Sequence, residues 1–581
     1  MGKSWVYRQK GDEAVINRLS EELEIDQHLA NLLVQRGIIS GEQAAAFFHP
    51  ELSYLHDPFL MKDMEKAITR IKAAMDGKEK ILVYGDYDVD GTTAVSLVYL
   101  FFRKFYERLD FYIPDRYQEG YGVSAKGVDF ATENGFTLVI SLDCGIKAVE
   151  NVGYARDRNV DFIICDHHRP GNELPDAAAI LDPKQPGCNY PYKELSGCGI
   201  GFKLIQAYAQ RYGIPFSDLA KYLDLVVVSI ASDIVDITGE NRVLAYFGLK
   251  LLNTNPRPGI EAVLRYSGIM RRESKPDENA FSKELSITDL VFLVGPRINA
   301  AGRIESGRNS VRLLVTGKLE EALSIGKQID DCNTERKNLD TSATIQAIEM
   351  INEDETLKNA RTTVIFHPDW HKGVIGIVAS RLTDTFYRPT IVMTKAGELY
   401  TGSARSVKDF DIYEAIDSCS DLLEHFGGHK FAAGLSLRPE NFEAFRNRFN
   451  QAVIDRLKEK VLVPELEIDD ELPLNSIHSR FYNTLKQFAP FGPGNMAPLF
   501  VTKGVVDAGG SRIVGKNHLK LSVGYPDVRG GPVSGIAFQQ GDHLGVIDKG
   551  MPFNICYHIE ENEWNGSITL QMNIKDIKPG G

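Results

Sequence analysis

Tyr84-Gly85-Asp86-Tyr87-Asp88-Val89-Asp90-Gly91-Thr92-Thr93 sets three aspartates at alternate positions, after the apolar run Ile81-Leu82-Val83-Tyr84 and before a helical stretch, Thr92 to Tyr106. A short continuous apolar run followed by a helix reads as one buried strand of a parallel sheet and its crossover. In open parallel sheets, ligands bind beyond the carboxyl ends of the strands, where these aspartates fall. Three close carboxylates repel one another unless cations sit among them. A solvated turn or a helix cap accounts for one aspartate and leaves two unexplained. A calcium loop of the Asp-x-Asp-x-Asp-Gly type is the other rival, but it requires a glutamate at loop position 12 and a helix before the loop, whereas no glutamate stands there and a strand precedes.

The same design recurs downstream. Leu138 to Leu142 ends in Asp143, Phe162 to Cys165 ends in Asp166-His167-His168, and Val226 to Ile230 is followed by Asp233. Singly, each has a dull explanation, such as a helix cap or a half-buried histidine. If the runs lie side by side, five aspartates and a histidine converge on one crevice. An oxygen-rich set with some nitrogen suits Mn²⁺ or Mg²⁺ better than structural zinc. Two such ions ready a nucleophile and stabilise a leaving oxygen in phosphoester hydrolysis.

At 581 residues the chain exceeds one core, and three or four domains are expected. The divisions read as a helical segment over 1–75, an α/β domain over 76–240, a helical region over 241–355, a second α/β domain over 356–455 and a β-barrel over 456–581. Ala322, Ile325, Ile329 and Cys332 recur at helical spacing, which predicts a long helix joining two lobes. After residue 461, turn signals such as Gly492-Pro493-Gly494 separate short β-type runs. Hydrophobic residues make up 43% and charged residues 25%, as in ordinary globular proteins. No run has the ~20 apolar residues of a membrane span, so no membrane association is expected. With no apolar leader in residues 1–10 and seven cysteines in no metal-type spacing, the expected compartment is the cytoplasm. A net charge of −13 speaks against an extended nucleic-acid surface but not against local cationic patches.

The ordered set Asp86 to Gly91, Asp143, Asp166-His167-His168 and Asp233 resembles the four motifs of the DHH phosphoesterase superfamily. Arg116 with Glu119-Gly120-Tyr121-Gly122, Gly295-Pro296-Arg297-Ile298-Asn299-Ala300-Ala301-Gly302-Arg303, and His371 to Gly376 narrow the resemblance. Ser403-Ala404-Arg405 and Gly427-Gly428-His429 complete it, and together they point to the branch of single-stranded-DNA-specific exonucleases. The resemblance implies an α/β fold: a parallel-sheet DHH domain, a long connecting helix, a smaller α/β DHH-associated domain and an OB-like β-barrel. It further implies 5′ to 3′ degradation of single-stranded DNA to mononucleotides in recombination and repair. Single-strand-binding protein and a helicase are the implied helpers. By motif match, two Mn²⁺ or Mg²⁺ ions are held by Asp88, Asp90, Asp143, His167 and Asp233, with Asp86 as ligand or neighbour and His168 touching the substrate phosphate or bracing the site. Tyr84 stands where many relatives have histidine.

Arg297 and Arg303 lie in a glycine-rich basic stretch that could approach a phosphate backbone closely. Arg116, Ser403 and Arg405 resemble family residues that hold a 5′ phosphate, and Asn299 and His429 belong to the same substrate set. Two alternatives stay open. One is a hydrolase of small phosphoesters, such as short oligonucleotides, cyclic dinucleotides or pyrophosphate. The other is a non-catalytic DNA-binding scaffold of the same fold.

Overall fold

The structure is a computed structural model that describes residues 2–275, 278–304, 306–458, 462–526, 531–547, 550–564 and 567–580. Five strands, Lys80–Gly85 (β1), Leu109–Tyr112 (β2), Phe136–Leu142 (β3), Asp161–Cys165 (β4) and Ala179–Leu181 (β5), form one parallel sheet in the order β2-β1-β3-β4-β5. Their inner residues are almost wholly buried because helices cover both faces, which is why they read as continuous apolar runs. The order reverses between β1 and β3, and such a switch point opens a crevice at the carboxyl edge.

Helices Val89–Phe102 (α1), Gly197–Tyr212 (α2) and Leu223–Ser232 (α3) cover one face. The fourth apolar run is therefore a helix, with Asp233 as its C-cap, whereas the first three are strands. α1 starts abruptly because Asp88 caps it, its carboxylate accepting from the Gly91 amide at 3.0 Å. Gly91 has no alternative there: a Cβ would lie 2.4 Å from the Asp86 carbonyl oxygen.

Helix Gly295–Ile304 (α4) leads to the 35-residue helix Leu319–Glu353 (α5), roughly 50 Å long, which carries the chain to the second lobe. There, Thr363–Phe366 (β6), helix Ile375–Phe386 (α6), Thr390–Ala396 (β7), Leu399–Arg405 (β8), His425–His429 (β9) and Ala432–Leu437 (β10) build a mixed sheet ordered β9-β10-β8-β7-β6. Buried Asp340 of α5 accepts from Arg336 at 2.8 Å and pairs with Arg381 of α6 at 2.6 Å, fixing the second lobe to the long helix.

A seven-stranded sheet follows. It closes into a barrel where Phe500–Asp507 pairs with His518–Gly524. The first 75 residues, expected to be helical, open with the strand Ser4–Tyr7, which pairs in parallel with Glu465–Ile468. Ile16, Leu19, Leu29 and Leu33 share one apolar core with barrel residues Leu472, Phe500 and Tyr557, while Met64–Asp76 lies under the five-stranded parallel sheet. None of the described helices is long and apolar enough to cross a membrane.

Arg242 pins these parts together. Its buried guanidinium donates to the carbonyls of Phe47 (2.9 Å), Phe488 (2.9 Å) and Ala489 (3.0 Å) and lies 3.7 Å from the Phe47 ring centroid. Arg242→Met should cost about 2–4 kcal/mol, because several buried carbonyls lose a charged donor at once. A urea midpoint equal to that of the parent protein would show that Arg242 does not join the parts.

Candidate metal centre and phosphate site

Asp90 anchors the centre. On the first turn of α1, its carboxylate accepts from the amides of Gly197 and Cys198 (both 2.7 Å) and from the Ser229 hydroxyl (2.7 Å). An anion at the N-terminus of α2, and the amides it binds, are both stabilised there. Gly197 is required, since a Cβ would sit 2.6 Å from the Cβ of Asp143. His167 Nε2 lies 3.2 Å from Asp143 Oδ1, 3.6 Å from Asp233 Oδ2 and 3.7 Å from Asp90 Oδ2. Two overlapping groups thus have metal-ligand spacing, Asp90-His167-Asp233 and Asp143-His167-His168.

His168 is committed otherwise. Its Nδ1 is 2.7 Å from Asp166 Oδ1, and its Nε2 is 3.3 Å from the Tyr121 hydroxyl, which donates to the Asp143 carbonyl at 3.0 Å. Asp166 also accepts from the amides of Ile146, His167 and His168. Burial works against its ionisation, but the hydrogen bond and charge of His168 and these amides hold Asp166 down at about 2. Burial lowers the His168 pKa, and the Asp166 bond together with the surrounding aspartates more than reverses this, for a net rise.

The other carboxylates have no such relief. Burial, then the charges of Asp90, Asp88 and Asp233, push Asp143 well above the usual carboxylate range. Burial and Asp90 push Asp233 up to about 9. Asp88 rises through burial and Asp90, and Asp86 through burial and Asp88. Asp86 Oδ1 accepts from the Gly122 amide at 3.2 Å, whereas its buried Oδ2 has no partner among the described residues. An orphaned carboxylate oxygen beside mutually repelling carboxylates and one imidazole is a donor set that fits divalent cations. Tyr84 is no ligand: its hydroxyl donates to the Gly122 carbonyl at 2.8 Å and accepts from the Ser124 amide.

Beyond Tyr87 the cleft turns cationic. Arg116 stacks 4.8 Å from the Tyr87 ring centroid. Arg303 donates to the Gly373 carbonyl at 2.9 Å, and the Tyr117 hydroxyl donates to the Arg303 carbonyl, so the two lobes meet here. Burial, then the charges of Arg116, Arg336 and Arg405, bring the Arg303 pKa down to about 10. Arg405 holds Ser403 Oγ at 3.0 Å beside the first turn of α6, where a Cβ on Gly376 would lie 3.0 Å from Ser403 Oγ and 3.1 Å from Arg405 Nη2.

Three family models match: the DHH family N-terminal domain over residues 80–230, the DHHA1 domain over 359–455 and the RecJ OB domain over 468–576. The single-stranded-DNA-specific exonuclease RecJ of Bacillus subtilis is 36% identical over 571 residues, covering 98% of this chain and 70% of that protein. The enzyme of the same name from Escherichia coli is 32% identical, covering 96% of each chain. The chain belongs to the RecJ family. The crystal structure of RecJ from Thermus thermophilus in complex with Mn²⁺ superposes with a TM-score of 0.83 at 25% identity, covering 100% of this chain and 80% of that one.

Within this RecJ-family fold, one expected substrate residue is placed elsewhere. Arg297 is buried, and each of its three nitrogens donates to an internal acceptor, Asp330 (2.9 Å) on α5 and the carbonyls of Leu293 and Tyr266, so it clamps α4 to α5. Asn299 is half-buried on α4 with no side-chain hydrogen bond among the described residues. His429 is exposed on β9, within reach of the charges of Lys147, His168 and Arg169. Sequence reasoning missed Asp182, buried just after β5 and pushed up to about 7 by burial and then by Asp166. It also missed Arg336, whose only cue is one arginine on the buried stripe of α5.

Carboxyls with raised folded-state pKa values bind protons that the unfolded chain releases above about pH 4, so metal-free protein loses stability as pH rises through this window towards about 9. Added Mn²⁺ displaces those protons. The melting-temperature gap between Mn²⁺-loaded and EDTA-treated protein should therefore widen from about pH 6 to about pH 8.5. A constant gap would exclude the carboxylate cluster as the binding centre.

Proposed function

We propose that this protein hydrolyses single-stranded DNA from its 5′ end, releasing mononucleotides by metal-dependent phosphodiester cleavage, in recombination and repair. The observation that carries the proposal is a carboxylate–histidine cluster at the sheet's switch point, adjoined by an arginine pocket formed by both lobes. Asp86, Asp88, Asp90, Asp143, His167 and Asp233 would hold two divalent cations, Mn²⁺ or Mg²⁺, with Asp143 central to the set. Bound there, the cations supply Lewis acidity that readies a water nucleophile and offsets charge on the leaving oxygen.

The chain's own residues do the rest. Asp166 fixes the His168 ring through Nδ1, which leaves Nε2 directed to the Tyr121 hydroxyl and able to donate to a substrate phosphate oxygen. Arg116, Arg303, Ser403 and Arg405 surround a terminal phosphate, where bidentate guanidinium donors suit its oxygens. Asn299 and His429 extend that surface. Capture of the terminal phosphate places the next phosphodiester over the metal cluster, so one nucleotide is released per turnover from the 5′ end. The barrel adds a surface of a kind that binds single strands by stacking and charge. A substrate as small as a cyclic dinucleotide requires neither the barrel nor an arginine pocket, which favours the DNA reading. The complete ligand set favours catalysis over a scaffold role. Single-strand-binding protein and a helicase are the proposed helpers, in the cytoplasm, where buried thiols stay reduced.

A length series of 5′-labelled single strands with Mn²⁺ tests the substrate class: stepwise release from long strands is expected, and activity confined to dinucleotides would refute it. Asp143→Ala should lower turnover by about a hundred- to a thousandfold, as loss of a central charge stabiliser does, and near-normal turnover would remove Asp143 from the centre. Arg405→Ala should raise KM for 5′-phosphorylated ends by about 10–100-fold, the loss expected for a charged hydrogen bond. Strands ending in a 5′ hydroxyl should change little, and equal losses on both ends would disprove the terminal-phosphate role.

A further inference from the structure

Charge along the carboxyl edge of the catalytic sheet follows the strand order. Arg116 stands past β2, the aspartate cluster past β1 and β3, and then, past β3 and β4, come Lys147 and Arg169. Adjacent strands are ~4.8 Å apart, so the three intervals from β2 to β4 span about 14 Å. A strand whose 5′ phosphate sits at Arg116 and whose first phosphodiester lies over the metal cluster must continue towards β4. We propose that Lys147 and Arg169, with His429 facing them from the second lobe, bind the phosphodiester immediately 3′ of the scissile one. The proposal rests on the exonuclease function proposed above.

Lys147 and Arg169 are exposed, and neither makes a hydrogen bond or ion pair among the described residues. Some neighbouring cations of this lobe are ion-paired, among them Arg156 with Asp176 and Lys184 with Glu194. The two share one place on the rim: the Cγ of Lys147 lies 3.9 Å from where a Cβ of Gly171 would be, so its stem rests against the turn that follows Arg169. His429 lies on β9, the edge strand of its sheet, and is exposed too. After burial, the charges of Lys147, His168 and Arg169 are what lower its pKa, and no carboxylate is among the groups acting on it. Two cations of the catalytic lobe without an ion-pair partner among the described residues thus share one stretch of rim, with a neutral imidazole of the second lobe near them, in a chain whose net charge is −13. A polyanion threaded between the lobes supplies the missing charge. The ligand class is a phosphodiester backbone of any sequence, since none of these groups is disposed to read a base edge.

The test compares a 5′-phosphorylated dinucleotide, which lacks the second phosphodiester, with a 5′-phosphorylated single strand of about twelve nucleotides. For the double variant K147Q/R169Q, KM on the longer strand should rise about tenfold, and the slope of log KM against log salt should fall by about 0.7, one phosphate contact on a single strand. The dinucleotide should change less than about twofold, and the charge-keeping pair K147R/R169K should restore the longer strand. If the parent protein cleaves both substrates and the double variant keeps its KM on the longer strand, the inference fails and the exonuclease function stands. Equal losses on both substrates also overturn it, because they place the cations at the reaction centre. If the parent protein cleaves neither, the proposed function itself is refuted.

Discussion

Mutual repulsion among Asp88, Asp90, Asp143 and Asp233 is the constraint around which the catalytic lobe is arranged. Like charges at these separations in a water-poor crevice destabilise any fold that gathers them. The structure relieves one carboxylate completely: Asp90 spends its oxygens on two amides at the N-terminus of α2 and on Ser229. A second, Asp166, is drawn into a bracing role by His168 and three amides. The others are held in place by backbone that has no freedom to retreat, including Asp143 itself, at φ +60°. Asp143 is non-glycine in the left-handed region, an arrangement that persists only where its surroundings enforce it. The residual repulsion stays in the fold as an attraction for cations.

Two tiers of support surround that cluster. Within the lobe, Tyr121 ties the backbone of Asp143 to His168, and Tyr84 and Asp86 together hold the turn at Gly122. Between the lobes, the Arg336–Asp340–Arg381 triad ties α5 to α6, and α6 in turn presents its first turn to Ser403 and Arg405. The proposed phosphate pocket therefore depends on an ion triad outside it, in which Asp340 is buried and Arg381 is open to solvent.

Much of the catalytic lobe was legible in the sequence because strands buried on both faces are written as unbroken apolar runs. An aspartate or histidine that interrupts such a run marks its carboxyl end. Asp86 to Asp90, Asp143 and His167 were found in this way, and the structure brings them together. The run at 225–231 carried no such signal, since a short, mostly apolar run suits a strand or a buried helix equally; α3 instead delivers Asp233 from a helix end. For Arg297 the composition was ambiguous, since an arginine among glycines reads the same whether it faces a ligand or an internal partner, and Asp330, with which it pairs, lies 33 residues away. Asp182 escaped notice because β5 is only three residues long. The long-range amides that hold Asp90 leave no local trace at all.

The strand Ser4–Tyr7 and the helices between Glu13 and Phe48 complete their core only with residues beyond Glu465. On a ribosome adding roughly 5–20 residues per second, these earliest segments wait on the order of 20–80 s for the chain that will cover them. The catalytic lobe and α5 emerge in the meantime and can fold first. Synthesis thus leaves these amphipathic segments exposed while the metal centre is already assembling, and the barrel, made after that lobe, is what covers the exposed apolar surface.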